Sequence, residues 1–419
     1  MAKKLLIILG AGSSISCCMP PVCMLDKLMQ TWSHHWAVSH GFQDYFGELR
    51  KDIENYYRAG KSNLRPPLNF EKVLGEMIAL SHWMKPAPWG NTLRETACDG
   101  AAPPRLIFPF PTDYGPDVTV RDQLCHLSIE LAKHMRALCQ TIDPKTDAVT
   151  RYAALLEGLR GAFDVGVYNL NYDTVAQTAW PGAYTGFGAT GGFKATSIHQ
   201  RQDWGFIYHL HGSVHHSLVG EFGNEICWRL DLGEKFFDGH PGLSTDDRSD
   251  GKSFPKTTLI AGGFKLDQLL VEPFHSLHAA LVRHVYEADA ILIGGYGFAD
   301  VHVNRALHNR LAGLVAKDRP PVMILTSADR DADPMAFRDD LWAHELCRTL
   351  STNGHFFHEP GQASPAKPSE LAAGGTFEVA APHRVALWHA GFENAVSRLD
   401  GILPWLAGGD DAVLMPRSH

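Results

Sequence analysis

Four short segments carry residue types that could do chemistry. They are Gly10-Ala11-Gly12-Ser13-Ser14, Asn171-Tyr172-Asp173, His209-Leu210-His211-Gly212-Ser213 and Gly294-Gly295-Tyr296-Gly297-Phe298-Ala299-Asp300. In the first, glycines permit a sharp turn and let backbone N–H groups approach a diphosphate at a helix N-terminus. It lacks the third glycine of the dehydrogenase fingerprint, so an ordinary strand-to-helix turn remains an alternative. In the second, Asn171 offers a neutral amide, while Asp173 suits either a site role or an Asx turn capping a helix predicted over Thr174 to Trp180.

In the third segment, residues two apart on a strand share a face, so His209 and His211 could point the same way. An imidazole can exchange a proton near neutrality. The spacing also permits a metal pair, with His215 and His216 close behind, but no carboxylate or cysteine stands at a suitable distance in sequence. No metal is therefore expected. His209 reads as a satisfied core histidine; His211, at the strand end before Gly-Ser, is better placed for chemistry. In the fourth, Asp300 suits an N-cap or a hydrogen bond to a ribose or adenine.

Strands must position these segments. Leu5 to Leu9 is a continuous aliphatic run, the pattern of a doubly buried parallel strand feeding a turn. Further strands are predicted over Asp164 to Tyr168, Phe206 to Leu210, Ala290 to Ile293, Pro321 to Leu325 and Val385 to Trp388. Helical spacing marks Phe46 to Tyr57, Asn69 to Met84, Val118 to Ile142, Thr146 to Leu159, Pro273 to Tyr286 and Val301 to Leu311. Stretches around 85–116, 233–253 and 361–375, rich in Gly, Pro, Asp or Ala, read as loops. Strands alternating with helices predict an α/β fold with a mostly parallel, Rossmann-like sheet and an inserted helical subdomain. The expected division is a core of residues 1–40 and 161–330, a helical insertion of 41–160, and a C-terminal completion of 331–419.

The 419 residues are 45% hydrophobic and 20% charged, a globular composition. A net charge of -8 leaves no electrostatic footprint for nucleic acid. Eight scattered cysteines form no Cys-x-x-Cys pair, which suits a reducing compartment and no structural zinc. The aliphatic run after Lys4 is too short for a signal peptide, no stretch is long enough to span a membrane, and a cytoplasmic protein is expected.

As an ordered set, each after a predicted parallel strand, the four segments resemble the sirtuin superfamily. They are most similar to its bacterial branch of NAD-consuming antiphage defence proteins, including the stand-alone subunit that partners a HerA-type ATPase. Asn69-Phe70-Glu71-Lys72-Val73-Leu74 resembles a helix of the same branch. Protein-deacylating sirtuins continue the first motif with Gly-Ile-Pro-Asp-Phe-Arg, where this chain has Cys18-Met19-Pro20-Pro21-Val22-Cys23. Their Gln before the catalytic Asn is Leu170 here, Gly297 and Ala299 stand where the branch has serines, and the zinc module has no counterpart.

The resemblance implies that NAD is the substrate and that the nicotinamide–ribose bond is cut, giving nicotinamide and ADP-ribose in a gated antiphage response by NAD depletion. It implies that Asn171 contacts the nicotinamide ribose, that His211 is the general base, and that Asp173 lies near the carboxamide. Gly10, Ala11, Gly12, Ser13 and Ser14 would cradle the diphosphate. Gly295 to Asp300 would lie on the adenosine side, with Gly212, Ser213, Gly294 and Tyr296 among the NAD contacts. Homo-oligomerisation and a HerA-type ATPase partner are implied by the same likeness. The alternatives are an NAD-dependent deacylase or ADP-ribosyltransferase, a non-catalytic NAD or ADP-ribose sensor, and a metal hydrolase on the histidines.

Overall fold

The computed structural model describes residues 2–59, 68–84, 116–220, 225–239, 245–247, 253–261, 265–327, 341–352, 377–380 and 382–414. Its strands in chain order are β1 Lys4–Leu9, β2 Asp164–Asn169, β3 Phe206–His209, β4 His216–Val219, β5 Glu225–Trp228, β6 Thr245–Asp247, β7 Ser253–Pro255, β8 Ala290–Gly294, β9 Val322–Leu325, β10 Phe377–Val379 and β11 Val385–Trp388. Seven of them form one sheet in the order β10-β11-β9-β8-β1-β2-β3. All pairings in it are parallel except β10 with β11.

The aliphatic run of β1 is central because both of its faces are covered. Leu5, Ile7 and Leu9 enter one core and Leu6 and Ile8 the other. All five are fully buried. Burial of one such side chain contributes about 1.5–3 kcal/mol, so a polar residue anywhere in this run would break a face. The first core also takes Phe70, Val73 and Leu74 from the helix Phe70–Met84 and Leu124, Leu127 and Leu131 from the helix Pro116–Gln140. The helices between β1 and β2 thus share their core with one sheet face. The second core is closed by the helices Phe274–Glu287 and Val301–Leu311.

From β1 the chain steps outward through β2 to β3, then returns to place β8 on the other side of β1. This reversal makes the fold Rossmann-like. It opens a crevice beyond the carboxyl ends of β1 and β8, where ligands of open α/β sheets bind. At the C-terminal end, β11 and β10 extend the sheet past β9.

Two local expectations differ. A helix was expected directly after Gly10 to Ser14, but two short 3₁₀ turns, Ala11–Ser13 and Ile15–Cys17, come first, and the long helix begins only at Val22. Within the stretch read as a loop around 233–253, β6 and β7 pair antiparallel. The stretches 85–115 and 361–375 lie outside the described residues. Among the described residues no helix is long and apolar enough to cross a membrane.

Candidate active site

A cavity of about 350 Å³ opens at the crevice between β1 and β8. Gly10, Ala11 and Gly12 after β1, Asn171 and Asp173 after β2, His211 after β3, and Gly295, Tyr296 and Asp300 after β8 all line it. Its apolar wall is Ile15, Met19, Pro20, Pro21, Val22 and Leu25. The remaining wall includes Glu71, Met135 and Lys265.

The glycines also do a job that their spacing does not reveal. Gly10 N–H donates to the Gly294 carbonyl and Gly12 N–H to the Gly295 carbonyl, each at 2.9 Å. A Cβ on Gly10 would sit 2.7 Å from the Gly295 carbonyl oxygen; one on Gly295, at φ +58°, would sit 2.0 Å from the Ser13 nitrogen. The two turns are pressed together, and glycine is required because backbone occupies the space of a side chain. This contact joins the first and fourth segments.

Asn171 is anchored to that turn. Its Nδ2 donates to the Gly10 carbonyl at 3.0 Å and reaches Ser14 Oγ at 3.1 Å. With the nitrogen engaged, the amide oxygen is left to serve a ligand. Asp173 Oδ1 accepts from Val175 N–H at 3.0 Å, which is the Asx turn expected as an alternative. It is buried on the cavity wall all the same. Burial raises its carboxyl to about 6, against the lowering hydrogen bonds from Val175 and Ser14.

His211 is buried beside a cluster of charged and titratable groups. Its Nε2 lies 3.1 Å from His302 Nε2 and 3.8 Å from Asp300 Oδ1. Lys265 Nζ bridges Asp300 at 2.8 Å and Glu71 at 3.0 Å. Burial pushes the His211 imidazole well below its usual range, the Lys265 ammonium adds to this, and Asp300 opposes it. The ring is therefore neutral near pH 7, with a lone pair able to take a proton. Burial alone would raise the Asp300 carboxyl, but Lys265 overcomes it and holds the group below the ordinary carboxylate range. The same two carboxylates hold Lys265 above its usual value despite burial.

Asp300 stands at the N-cap position of the helix Val301–Leu311, yet its side chain makes no cap hydrogen bond. Its carboxylate turns instead to Lys265 and His211. The turn is held locally: Tyr296 OH donates to Asn304 Oδ1 at 2.8 Å, and Asn304 Nδ2 donates to the Phe298 carbonyl at 2.7 Å. His209 is a core histidine. Its Nδ1 contacts the Asn171 carbonyl at 3.2 Å, its Nε2 meets Gln177, and burial pushes it down to about 3.

Five residues expected as ligand contacts do not line the cavity. Ser13 turns its hydroxyl to the Gly10 carbonyl at 2.8 Å, and Ser14 receives Asn171. Gly212 pairs with Leu259. Ser213 Oγ accepts from His215 N–H at 3.3 Å, and Gly294 is packed against Phe392. They shape the wall from behind.

Three groups escaped the sequence: Lys265, Glu71 and His302. Nothing in the local sequence distinguishes Lys265 from a surface lysine. The carboxylate not found near the histidines in sequence arrives in space as Asp300. Donor atoms of His211, Asp300 and His302 lie within 4.8 Å of one another. Lys265 stands beside them as the counter-ion of Asp300.

A family model described as a SIR2-like domain matches residues 165–349, from β2 through the helix Leu341–Leu350, and so takes in Asn171, Asp173, His211 and Asp300. No curated relative matches the chain. Similar solved structures include a triple mutant of Sir2 homologues with 2'-O-acetyl ADP ribose, at 13% identity and TM-score 0.33, covering 84% of this chain and 94% of that one. Another is a Sir2 homolog–NAD complex at 14% identity and TM-score 0.32, covering 84% of this chain and 90% of that one.

Proposed function

We propose that this chain hydrolyses NAD⁺ at the nicotinamide–ribose bond, releasing nicotinamide and ADP-ribose. The observation that carries this reading is the convergence of a neutral, buried imidazole and an anchored amide, 40 positions apart, on one cavity at the switch point of the sheet. The match of residues 165–349 to a SIR2-like domain supports it.

Cleavage leaves an oxocarbenium-like ribose and a neutral leaving base, so the site must hold one water and exclude the rest. The amide oxygen of Asn171 can orient a ribose hydroxyl or that water without adding a charge. His211 takes the proton of the attacking water. Asp173, a carboxyl at about 6, can donate or accept at the nicotinamide amide. The apolar wall from Met19 to Val22 gives the ring a dry surface.

Nicotinamide release from NAD⁺ by purified protein tests the proposal. His211→Ala and Asn171→Ala should each remove most of it with the fold retained; unchanged turnover in both defeats the site. Release that requires an acylated or acceptor peptide would favour a deacylase or ADP-ribosyltransferase. Binding without turnover would favour a sensor. An unchecked activity of this kind would exhaust its host, so we further infer that it is gated, through homo-oligomerisation and an ATPase partner of the HerA type in antiphage defence. A monomer with full activity in mass photometry would refute the gating.

A further inference from the structure

His211 Nε2 faces another imidazole. His302, on the first turn of the helix Val301–Leu311, places its own Nε2 at 3.1 Å, and the rings meet edge to face with centroids 5.1 Å apart. Two nitrogens at that separation must hold a proton between them. Both rings are buried. Asp300 Oδ1 lies 3.8 Å from the His211 nitrogen and is itself fixed by Lys265. Behind His302 stands His278, from the helix Phe274–Glu287, with ring centroids 5.5 Å apart. Its Nδ1 is buried and has no hydrogen-bond partner among the described residues.

Resting on the NAD-cleavage reading, we propose that His302 is the proton partner of His211: the two imidazoles share one proton between their Nε2 atoms and take up the proton of the attacking water as a unit. In that step the water oxygen bonds to ribose C1′ while the bond from C1′ to the nicotinamide nitrogen breaks, its electron pair leaving with nicotinamide. The water proton passes to Nδ1 of His211, the nitrogen left over once Nε2 is bound to His302, and later to solvent. A lone imidazole here would charge poorly, because burial and the Lys265 cation both oppose it. Spreading the charge over two rings, toward the Asp300 carboxylate, lowers that cost. The groups facing the pair are Lys265, Asp300 and Glu71 on one side, Tyr172 beside them, and His278 on the other. His302 is thus a positioning residue that acts through His211. Asp300 stands at the N-cap of the same helix, so His302 and Asp300 are set together.

The test is His302→Asn, with His302→Gln as a second variant should the first fold poorly. Steady-state nicotinamide release should show kcat lowered about 10-fold or more with KM within about 3-fold, and the acid limb of the kcat profile moved to lower pH by about one unit. Independently of activity, imidazole ¹⁵N resonances followed against pH should show His211 and His302 titrating together in the unmodified protein. In the variant the His211 midpoint should fall. Unlinked titration, or a kcat loss with the acid limb unmoved, overturns the proposal. A stoichiometric divalent metal in the purified protein, lost in His302→Asn, overturns it in favour of a metal centre. Absence of NAD turnover with linked titration would defeat the NAD-cleavage reading and leave the shared proton standing.

Discussion

Lys265→Met offers a direct test of how the site is held. The ammonium sits 2.8 Å from Asp300 and 3.0 Å from Glu71, with the Lys265 and Asp300 side chains only 12% and 13% exposed. Methionine keeps the aliphatic stem and removes the charge. Breaking a buried pair by deleting one partner costs about 3–5 kcal/mol, because the other charge is left uncompensated. In the wild type, the depressed Asp300 carboxyl contributes stability that is present above its unfolded value and lost as pH falls through its folded one. In the variant the sign inverts: burial without Lys265 raises the carboxyl, so the protein is penalised at neutral pH and relieved on acidification. Urea unfolding followed by tryptophan fluorescence should therefore show a loss of about 3–5 kcal/mol at pH 8 and a smaller one at pH 5. Adding Asp300→Asn should recover part of it. A loss below about 1 kcal/mol, or an equal loss at both pH values, would show that Lys265 is not the counter-ion of a buried carboxylate.

His211→Ala and Asn171→Ala should each lower nicotinamide release by about 10²–10⁴-fold while urea midpoints move little; a shared loss of fold would point to a structural role. Gly295→Ala should destabilise by about 1–3 kcal/mol and weaken NAD binding in calorimetry, because its Cβ would lie 2.0 Å from the Ser13 nitrogen at φ +58°. Wild-type tolerance there would refute the pressed-turn geometry. Asp173, raised from 3.8 to about 6, makes the folded state lose stability as pH rises through that window. At 1.36 kcal/mol per unit, Asp173→Asn should gain about 3 kcal/mol on the wild type between pH 4 and pH 7 in urea titrations, and a pH-independent difference would contradict it.

Much of the scaffold could be read without coordinates. The aliphatic run of β1 announces a strand covered on both faces, because nothing polar interrupts either side of a period-two pattern. The helices over Phe70–Met84 and Pro116–Gln140 betray themselves by apolar residues at helical spacing. The position of Asn171 and His211 just beyond β2 and β3 followed from the same reasoning, since strand ends in an open parallel sheet share one rim.

What sequence could not convey is which partners meet there. Lys265 and Glu71 are charged residues that local pattern assigns to a surface, and Asp300 reads as a cap or a ribose contact; only their convergence from three distant elements makes burial tolerable. His302 looks like one more polar position on a helix until the packing of Val301–Leu311 brings its nitrogen to His211. Gly10 and Gly295 read as ligand-facing glycines from spacing alone; both do line the cavity, but only the fold shows that they also let two backbones touch. Periodicity along a chain reports how one element meets solvent and core; contacts between residues hundreds of positions apart are decided by the register and order of strands, which exist only once the sheet is assembled.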